Sequence, residues 1–390
     1  MSINNLYQLP KANNLNFKST SFVCILLLVL VSCKKKGGNN NPELVIQPTA
    51  TETYFQKVST TFSNTLSIDD QGNVWAAGKN NSSVLGLGNT VTQRTFVRVM
   101  DQAKEISIRD SRALVLRTDN SVWTSGSNDF NDLGTGNTAL DGKFKKVFDG
   151  AEKIEAGEQN GFIIKPDHTL WGVGFNHNLV LGNAFDDGQV VQRYTKIADN
   201  VLSISAGLGH FFIVKTDNSL WACGRNIEGE LGIGSFTDQK RFVKVMDGVK
   251  VAKALEYHSL IIKTDNSLWA AGNNVYGELG NGNNTNQNQF VKVLDNVSVL
   301  AGGRFFSLVI KTDKSLWASG YNSFRTFGIE SPDQNRFIKI TDNVEQVSAA
   351  NWHSAIIKSD KTMWVSGENA FGEIGAGDKR EISIFTKVGR

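Results

Sequence analysis

Along most of this chain the hydrophobic residues fall in short runs, four to six long, broken by polar turn residues. One stretch shows the pattern well. The runs 201–206 (VLSISA), 211–215 (FFIVK), 219–223 (SLWAC) and 242–245 (FVKV) follow one another with polar connections. None is long enough to make a good helix, and their content of branched and aromatic residues predicts four β-strands, A to D. Strands B and C are joined by Thr216-Asp217-Asn218. An Asp-Asn pair suits the two left-handed positions of a type I′ hairpin. The same slot holds Asp119-Asn120, Asp265-Asn266 and, earlier, Gln71-Gly72.

That unit repeats. Trp75, Trp123, Trp171, Trp221, Trp269, Trp317 and Trp364 recur every 47 to 50 residues, and each opens W-x-x-G-x-N. The glycines are Gly78, Gly126, Gly174, Gly224, Gly272, Gly320 and Gly367; the asparagines are Asn80, Asn128, Asn176, Asn226, Asn274, Asn322 and Asn369. Six residues after each Asn comes Gly86, Gly134, Gly182, Gly232, Gly280, Gly328 or Gly375. Four short strands in a unit of this length are a propeller blade, so the expected fold is all-β, a seven-bladed β-propeller of four-stranded blades. A single blade cannot bury both faces of its sheet. It buries them against its neighbours, and the repeat tryptophans are expected to carry much of that packing. The strands run in phase from A to D, which leaves ring closure open between simple packing of first blade on last and a strand exchanged from either terminus.

The string HSLIIKTDNSLWAAGNNVYGELGNGNNTNQNQFVKV, residues 258–293, resembles the regulator-of-chromosome-condensation (RCC1) repeat. The family pattern has a His-Ser or His-Thr start, a Leu-Trp or Tyr-x-Trp-Gly core and then G-x-N-x-x-G-x-L-G. The likeness extends over about residues 55 to 388. Two features depart from the family: it usually has Gly directly after Trp or close by, whereas the pattern here is W-x-x-G, and the usual proline near strand D is replaced by Phe96, Phe144, Tyr194, Phe242, Phe290, Phe337 and Phe385. The resemblance implies the propeller fold and leaves function open, because one scaffold hosts many functions. The family includes a chromatin-bound nucleotide-exchange factor for a small nuclear GTPase and a secreted propeller that inhibits β-lactamases by protein contact.

The first residues read as an address. Lys11 and Lys18 precede the apolar run 22–31 (FVCILLLVLV), too short to span a bilayer comfortably. Leu30-Val31-Ser32-Cys33 resembles a bacterial lipobox, which implies cleavage before Cys33 and lipidation of that cysteine. An ordinary signal peptide or an uncleaved anchor is the alternative. The expected organisation is a signal peptide over 1–32, a lipidated Cys and polar tether over 33–53, and the propeller over 54–390. By resemblance to enterobacterial sorting rules, Lys34 rather than Asp after the cysteine argues against inner-membrane retention, so the expected place is the cell envelope, held by lipid to the outer membrane. Away from the cytoplasm the chain would not meet a nuclear GTPase, and exchange activity becomes a distant alternative. A formal net charge of +3 offers no strong field for nucleic acid. Of the three cysteines, Cys24 and Cys33 fall in the leader, so Cys223 has no partner for a disulfide and reads as a small core residue.

No nucleophile, phosphate-loop or zinc motif appears, so the expectation is a non-enzyme with no cofactor and no metal. His210, His258 and His353 share one slot at the start of strand B, where the other repeats place Asn64, Arg112, Asn160 and Phe306. Three converging imidazoles would bind a metal; the plainer reading is a turn histidine bonded to backbone. The Asn column reads as turn architecture. Function belongs where the repeats differ. The column before the His slot is Ser63, Ser111, Gln159, Gly209, Tyr257, Phe305 and Trp352, aromatic on three consecutive blades. With Arg304 and Glu256 beside them, Tyr257, Phe305 and Trp352 have the composition of a protein-recognition surface. They suit a sugar as well, or packing over the channel mouth. Asp110, Glu158 and Glu256 are the acids that an enzyme reading would use. In the C–D loops, Gly229-Glu230, Gly277-Glu278 and Gly372-Glu373 recur, whereas His177-Asn178-Leu179-Val180 and Ser323-Phe324-Arg325-Thr326 read as loop drift. The leading expectation is a membrane-anchored binding scaffold with a protein partner; a carbohydrate-binding accessory protein is the rival.

Overall fold

Strands in which both faces are apolar must be covered on both sides, and strand B of every repeat but the first, where Thr65 and Ser67 occupy one face, is of this kind. A computed structural model describes residues 53–129, 133–136, 141–176, 180–181 and 188–389. Within them lie 28 strands, in seven antiparallel sheets of four. Each sheet takes its strands in chain order, A to D, from one repeat. Blade 4 is representative: Val201–Ala206, His210–Lys215, Leu220–Gly224 and Gln239–Met246. Its last strand is longer than the sequence pattern suggests, because the polar half of an outer strand shows no hydrophobic run.

Strand A of each blade touches strand A of both neighbours, so the A strands form the inner wall of the ring. Strands B and C are covered by adjacent blades. Strand B is buried along nearly its whole length, as in His258–Lys263, whereas strand D is half-exposed on the rim. The core is accordingly divided into seven apolar clusters, each shared by two neighbouring blades and each including one repeat tryptophan. Trp269 of blade 5, for example, packs on Phe212, Val214 and Leu231 of blade 4. The indoles are half-buried rather than enclosed.

Their polar ends are tied locally. In blade 5, Trp269 Nε1 donates to Ser267 Oγ at 2.9 Å, and Ser267 Oγ donates to Asp265 Oδ1 at 2.5 Å. Lys263 Nζ lies 5.1 Å from the Trp269 ring centre. Blades 2, 3, 4, 6 and 7 repeat the Asp–Ser/Thr–Trp relay; blade 1 shortens it, with Trp75 Nε1 donating directly to Asp69 Oδ2 at 2.8 Å. The B–C connection differs from the expected type I′ turn. Asn218 is left-handed (φ 62) but Asp217 is not, because Asp217 Oδ1 is engaged by the Ser219 amide at 2.9 Å. The aspartate makes an Asx-type turn, and only the following residue needs positive φ.

The ring closes by packing. Phe55 N donates to Lys361 O at 2.8 Å, Thr60 N to Ser348 Oγ at 3.0 Å, and Thr65 Oγ1 meets His353 Nε2 at 3.4 Å. Among the described residues no strand is exchanged between blades 1 and 7. Cys223 is buried in the core between blades 3 and 4. Cys33, the leader and most of the expected tether lie outside the described residues, and so do His177, Asn178 and Leu179. Among the described residues no helix is long and apolar enough to cross a membrane.

Candidate functional site

The A–B and C–D loops share one face, and backbone hydrogen bonds fix their relation. The residue after the glycine of strand C donates to the carbonyl of the A–B residue before the His slot. Arg225 N bonds Gly209 O (2.8 Å), Asn273 N bonds Tyr257 O (2.9 Å), Tyr321 N bonds Phe305 O (2.9 Å) and Glu368 N bonds Trp352 O (2.9 Å). A glycine is required where the two segments meet: a Cβ on Gly272 (φ 108) would stand 2.7 Å from Tyr257 O. The buried Asn column folds the C–D loop around itself. Asn274 Oδ1 accepts from Leu279 N at 3.0 Å, and its Nδ2 donates to Asn283 O and Thr285 O.

The histidine slot is structural. His210, His258 and His353 are wholly buried, one blade or more apart. His210 Nε2 and His258 Nε2 meet Ser259 Oγ and Ser307 Oγ of the following blade at 2.9 Å, as His353 meets Thr65 across the closure. The partner is thus a hydroxyl of the next blade and not local backbone. Burial holds all three imidazoles down at about 3. Among the described residues no His, Cys, Asp or Glu group is arranged to hold a metal. Arg112 fills the slot in blade 2 and reaches into blade 3, where Gly161 offers no hydroxyl. Its Nη1 donates to Gly157 O and Asn160 O at 3.1 and 2.5 Å. Phe306, in the slot of blade 6, is buried against Phe327.

The A–B aromatics do come together. Tyr257 and Phe305 stack with ring centres 5.7 Å apart and planes 18° from parallel, and Phe305 lies 6.2 Å from Trp352. Arg304 Cζ lies 5.3 Å from the Tyr257 ring centre and 5.2 Å from that of Phe305, with Nη2 3.1 Å from Tyr257 Oη and Nε 3.5 Å from Glu256 Oε2. Burial pushes the Glu256 carboxyl up to about 7; Arg109 and Arg304 oppose that, and Asp110 and Glu158 add to it. The Asp110 and Glu158 charges of other A–B loops thus reach Glu256, which their spacing in sequence does not suggest.

The arc is larger than the sequence column. Tyr276 lies 5.0 Å from Phe305 and 4.9 Å from Tyr321; Tyr321 lies 5.9 Å from Trp352; Phe324 lies 4.8 Å from Trp352. Arg225 Cζ stands 5.0 Å from the Tyr257 ring. These six rings, on blades 5 to 7, are half-buried and in continuous contact. Phe324 belongs to a segment that reads as drift in the sequence, yet it borders a cleft of about 540 Å³ lined also by Glu368, Glu381, Arg94 and Arg380. The missed residues have a signal: Tyr321 and Arg225 share the column before the Asn, and Tyr276 and Phe324 the one two places after it. Only the A–B to C–D bonds make these columns neighbours.

A family model for the regulator of chromosome condensation (RCC1) repeat matches residues 201–230, the strand A to C–D loop stretch of blade 4. The chain carries an RCC1 repeat. Its fold is that of RCC1-like propellers. Human WBSCR16 superposes with a TM-score of 0.73 at 16% identity over 82% of this chain and 94% of that one. Yeast RCC1 (Prp20), solved bound to Kap60, gives 0.72 at 16% identity over 91% of each chain. Prp20p from Saccharomyces cerevisiae, described with its binding properties to Gsp1p and histones, gives 0.72 at 16% over 87% and 88%. No curated protein matches the sequence. The RCC1-like blades explain the repeat columns; the aromatic arc is what blades 5 to 7 add to them.

Proposed function

We propose that this RCC1-like propeller is a binding scaffold of a bacterial cell envelope, held to the membrane through Cys33, that recognises a protein partner on its A–B/C–D face. The observation that carries the reading is the unbroken arc of Tyr257, Tyr276, Phe305, Tyr321, Phe324 and Trp352, backed by Arg225 and Arg304. Tyr, Trp, Phe and Arg are enriched at protein interfaces: the rings offer a large area at small entropic cost, and the guanidinium offers several donors and a planar face that stacks. Exposed Ile227 and Val275 on the neighbouring loops extend the apolar surface. Prp20, of the same fold, is solved bound to a protein. The reading includes no catalytic step and no cofactor.

The same rings favour one other reading. Half-buried tyrosines and a tryptophan beside acids also suit a sugar, as an accessory carbohydrate-binding protein would need. The test is capture from solubilised envelope with the full chain and with its Tyr257/Phe305/Trp352→Ala version. A protein held by the first and lost by the second supports the scaffold. Equal capture by both, together with saturable quenching of tryptophan fluorescence by an oligosaccharide, moves the reading to sugar. Mass spectrometry of the Cys33 peptide tests the anchor: an unmodified, uncleaved residue overturns it.

A further inference from the structure

Three blades bury a glutamate in the C–D loop, and comparison of two of them exposes a gap. In blade 4, Glu230 is fully buried. Its Oε2 accepts from Glu228 N at 2.8 Å and its Oε1 from Arg225 Nη1 at 3.0 Å. The Arg225 guanidinium lies in turn on the ring of Tyr257. Blade 5 repeats the carboxylate and the turn but lacks the cation. Glu278 is fully buried and its Oε2 accepts from Tyr276 N at 2.9 Å. The residue in the place of Arg225 is Asn273, whose Nδ2 instead donates to Glu228 Oε2 at 3.2 Å. Glu278 Oε1 is left with no hydrogen-bond partner. Among the described residues, Glu278 is the one of the three, Glu230, Glu278 and Glu373, with such an oxygen. The ring in the place of Tyr257 is Phe305, within the aromatic arc and 5.0 Å from Tyr276.

A buried acceptor without a donor costs about 1–3 kcal/mol, and more for a charged group, so such atoms in a repeated motif call for an explanation. Blade 4 supplies it: the turn is built for a carboxylate–guanidinium pair laid on the ring of the next blade. Burial, with a smaller push from the Glu228 charge, raises the Glu278 carboxyl to about 7 against the pull of nearby backbone amides.

We infer that Glu278 is the receptor for a guanidinium from outside the chain, an arginine side chain of the protein partner, seated between Glu278 and the Phe305 ring as Arg225 is between Glu230 and Tyr257. This rests on the protein-binding reading of the face. Entry requires Asn273 Nδ2 to leave Glu228 Oε2, which keeps its bond from Asn286 Nδ2 at 2.8 Å, and to open Glu278 Oε1 to the guanidinium. Arginine fits better than lysine because its guanidinium donates to two acceptors at once and stacks on an aromatic face.

The probe is N-acetyl-arginine amide, with the uncharged citrulline analogue as control, added to the full chain in detergent. The readout is the carboxyl carbon resonance of Glu278, assigned with Glu278→Gln. The arginine probe should lower the Glu278 titration midpoint by at least one pH unit, and citrulline should leave it unmoved. Asn273→Arg, which copies blade 4, should produce the same shift without probe; it and Glu278→Gln should each weaken probe binding at least tenfold. Equal probe binding by wild type and both variants, or none by wild type, overturns the inference. If Asn273→Arg still captures a protein that the triple-alanine version loses, the arginine site fails and the protein-binding face stands. If the probe shifts Glu278 but wild type and triple-alanine versions capture alike, the guanidinium site stands and the protein-binding face fails.

Discussion

Phe96, on the outer strand of blade 1, lies directly against Gly375, in the C–D loop of blade 7. A Cβ on Gly375 would stand 2.3 Å from the Phe96 ring. The same pairing joins Gly86 to Phe144, Gly134 to Tyr194, Gly232 to Phe290, Gly280 to Phe337 and Gly328 to Phe385. At Gly375 it closes the ring.

Gly375→Ala should therefore weaken the closure, by both a strained φ of 67 and a clash with Phe96, costing about 2–4 kcal/mol. Gly377→Ala is the control, with a φ of 76 but nothing within 4 Å of its Cβ; it should cost only about 1 kcal/mol. Equal urea midpoints for the two would show that the Phe96 contact contributes nothing.

Trp269→Ala should destabilise by about 3 kcal/mol, at the lower end for an aromatic truncation because the indole is half-buried. Ser267→Ala keeps the ring and removes the hydroxyl between Trp269 Nε1 and Asp265, and should cost about 1 kcal/mol. An unchanged melting temperature in Trp269→Ala would remove the indole from the inter-blade packing.

Histidine burial sets a pH signature. The folded value of His258 is about 3, below its usual value, so its contribution is fully present above about 6.5 and is lost as pH falls from there towards 3. Glu105, Glu256 and Glu278, raised to about 6, 7 and 7, act in the opposite sense. Their contribution is present below their unfolded values and lost as pH rises through the raised ones. The two sets oppose each other between about pH 4.5 and 6.5, which flattens the total. His258→Phe, which copies Phe306 in the same slot, isolates one imidazole. The difference in unfolding free energy between variant and wild type should change by about 1.4 kcal/mol per pH unit well inside that window. A pH-independent difference would mean that His258 is not held neutral by burial.

Arg112 and Gly161 should be coupled. Arg112→His restores the commoner slot residue but faces no hydroxyl in blade 3, and it strips Gly157 and Asn160 carbonyls of a donor. It should destabilise by about 2–4 kcal/mol, and Gly161→Ser added to it should recover about 1 kcal/mol. Simple additivity in a double-mutant cycle would show that a histidine in this slot gains nothing from a hydroxyl in blade 3.

The blade count, the strands and the columns of Trp, Gly and Asn were legible in the chain itself, because each depends on periods within one repeat. Tyr257, Phe305, Trp352 and Arg304 were legible too, as departures from a column. What the tertiary structure decided lies between repeats. Phe96 against Gly375, His258 against Ser307, and Tyr276 and Phe324 joining the arc all link positions that no single period aligns. The closure by packing, and the orphan oxygen of Glu278, follow from the same cause: an alternating pattern says which face of a strand is apolar, and only the ring says what covers it.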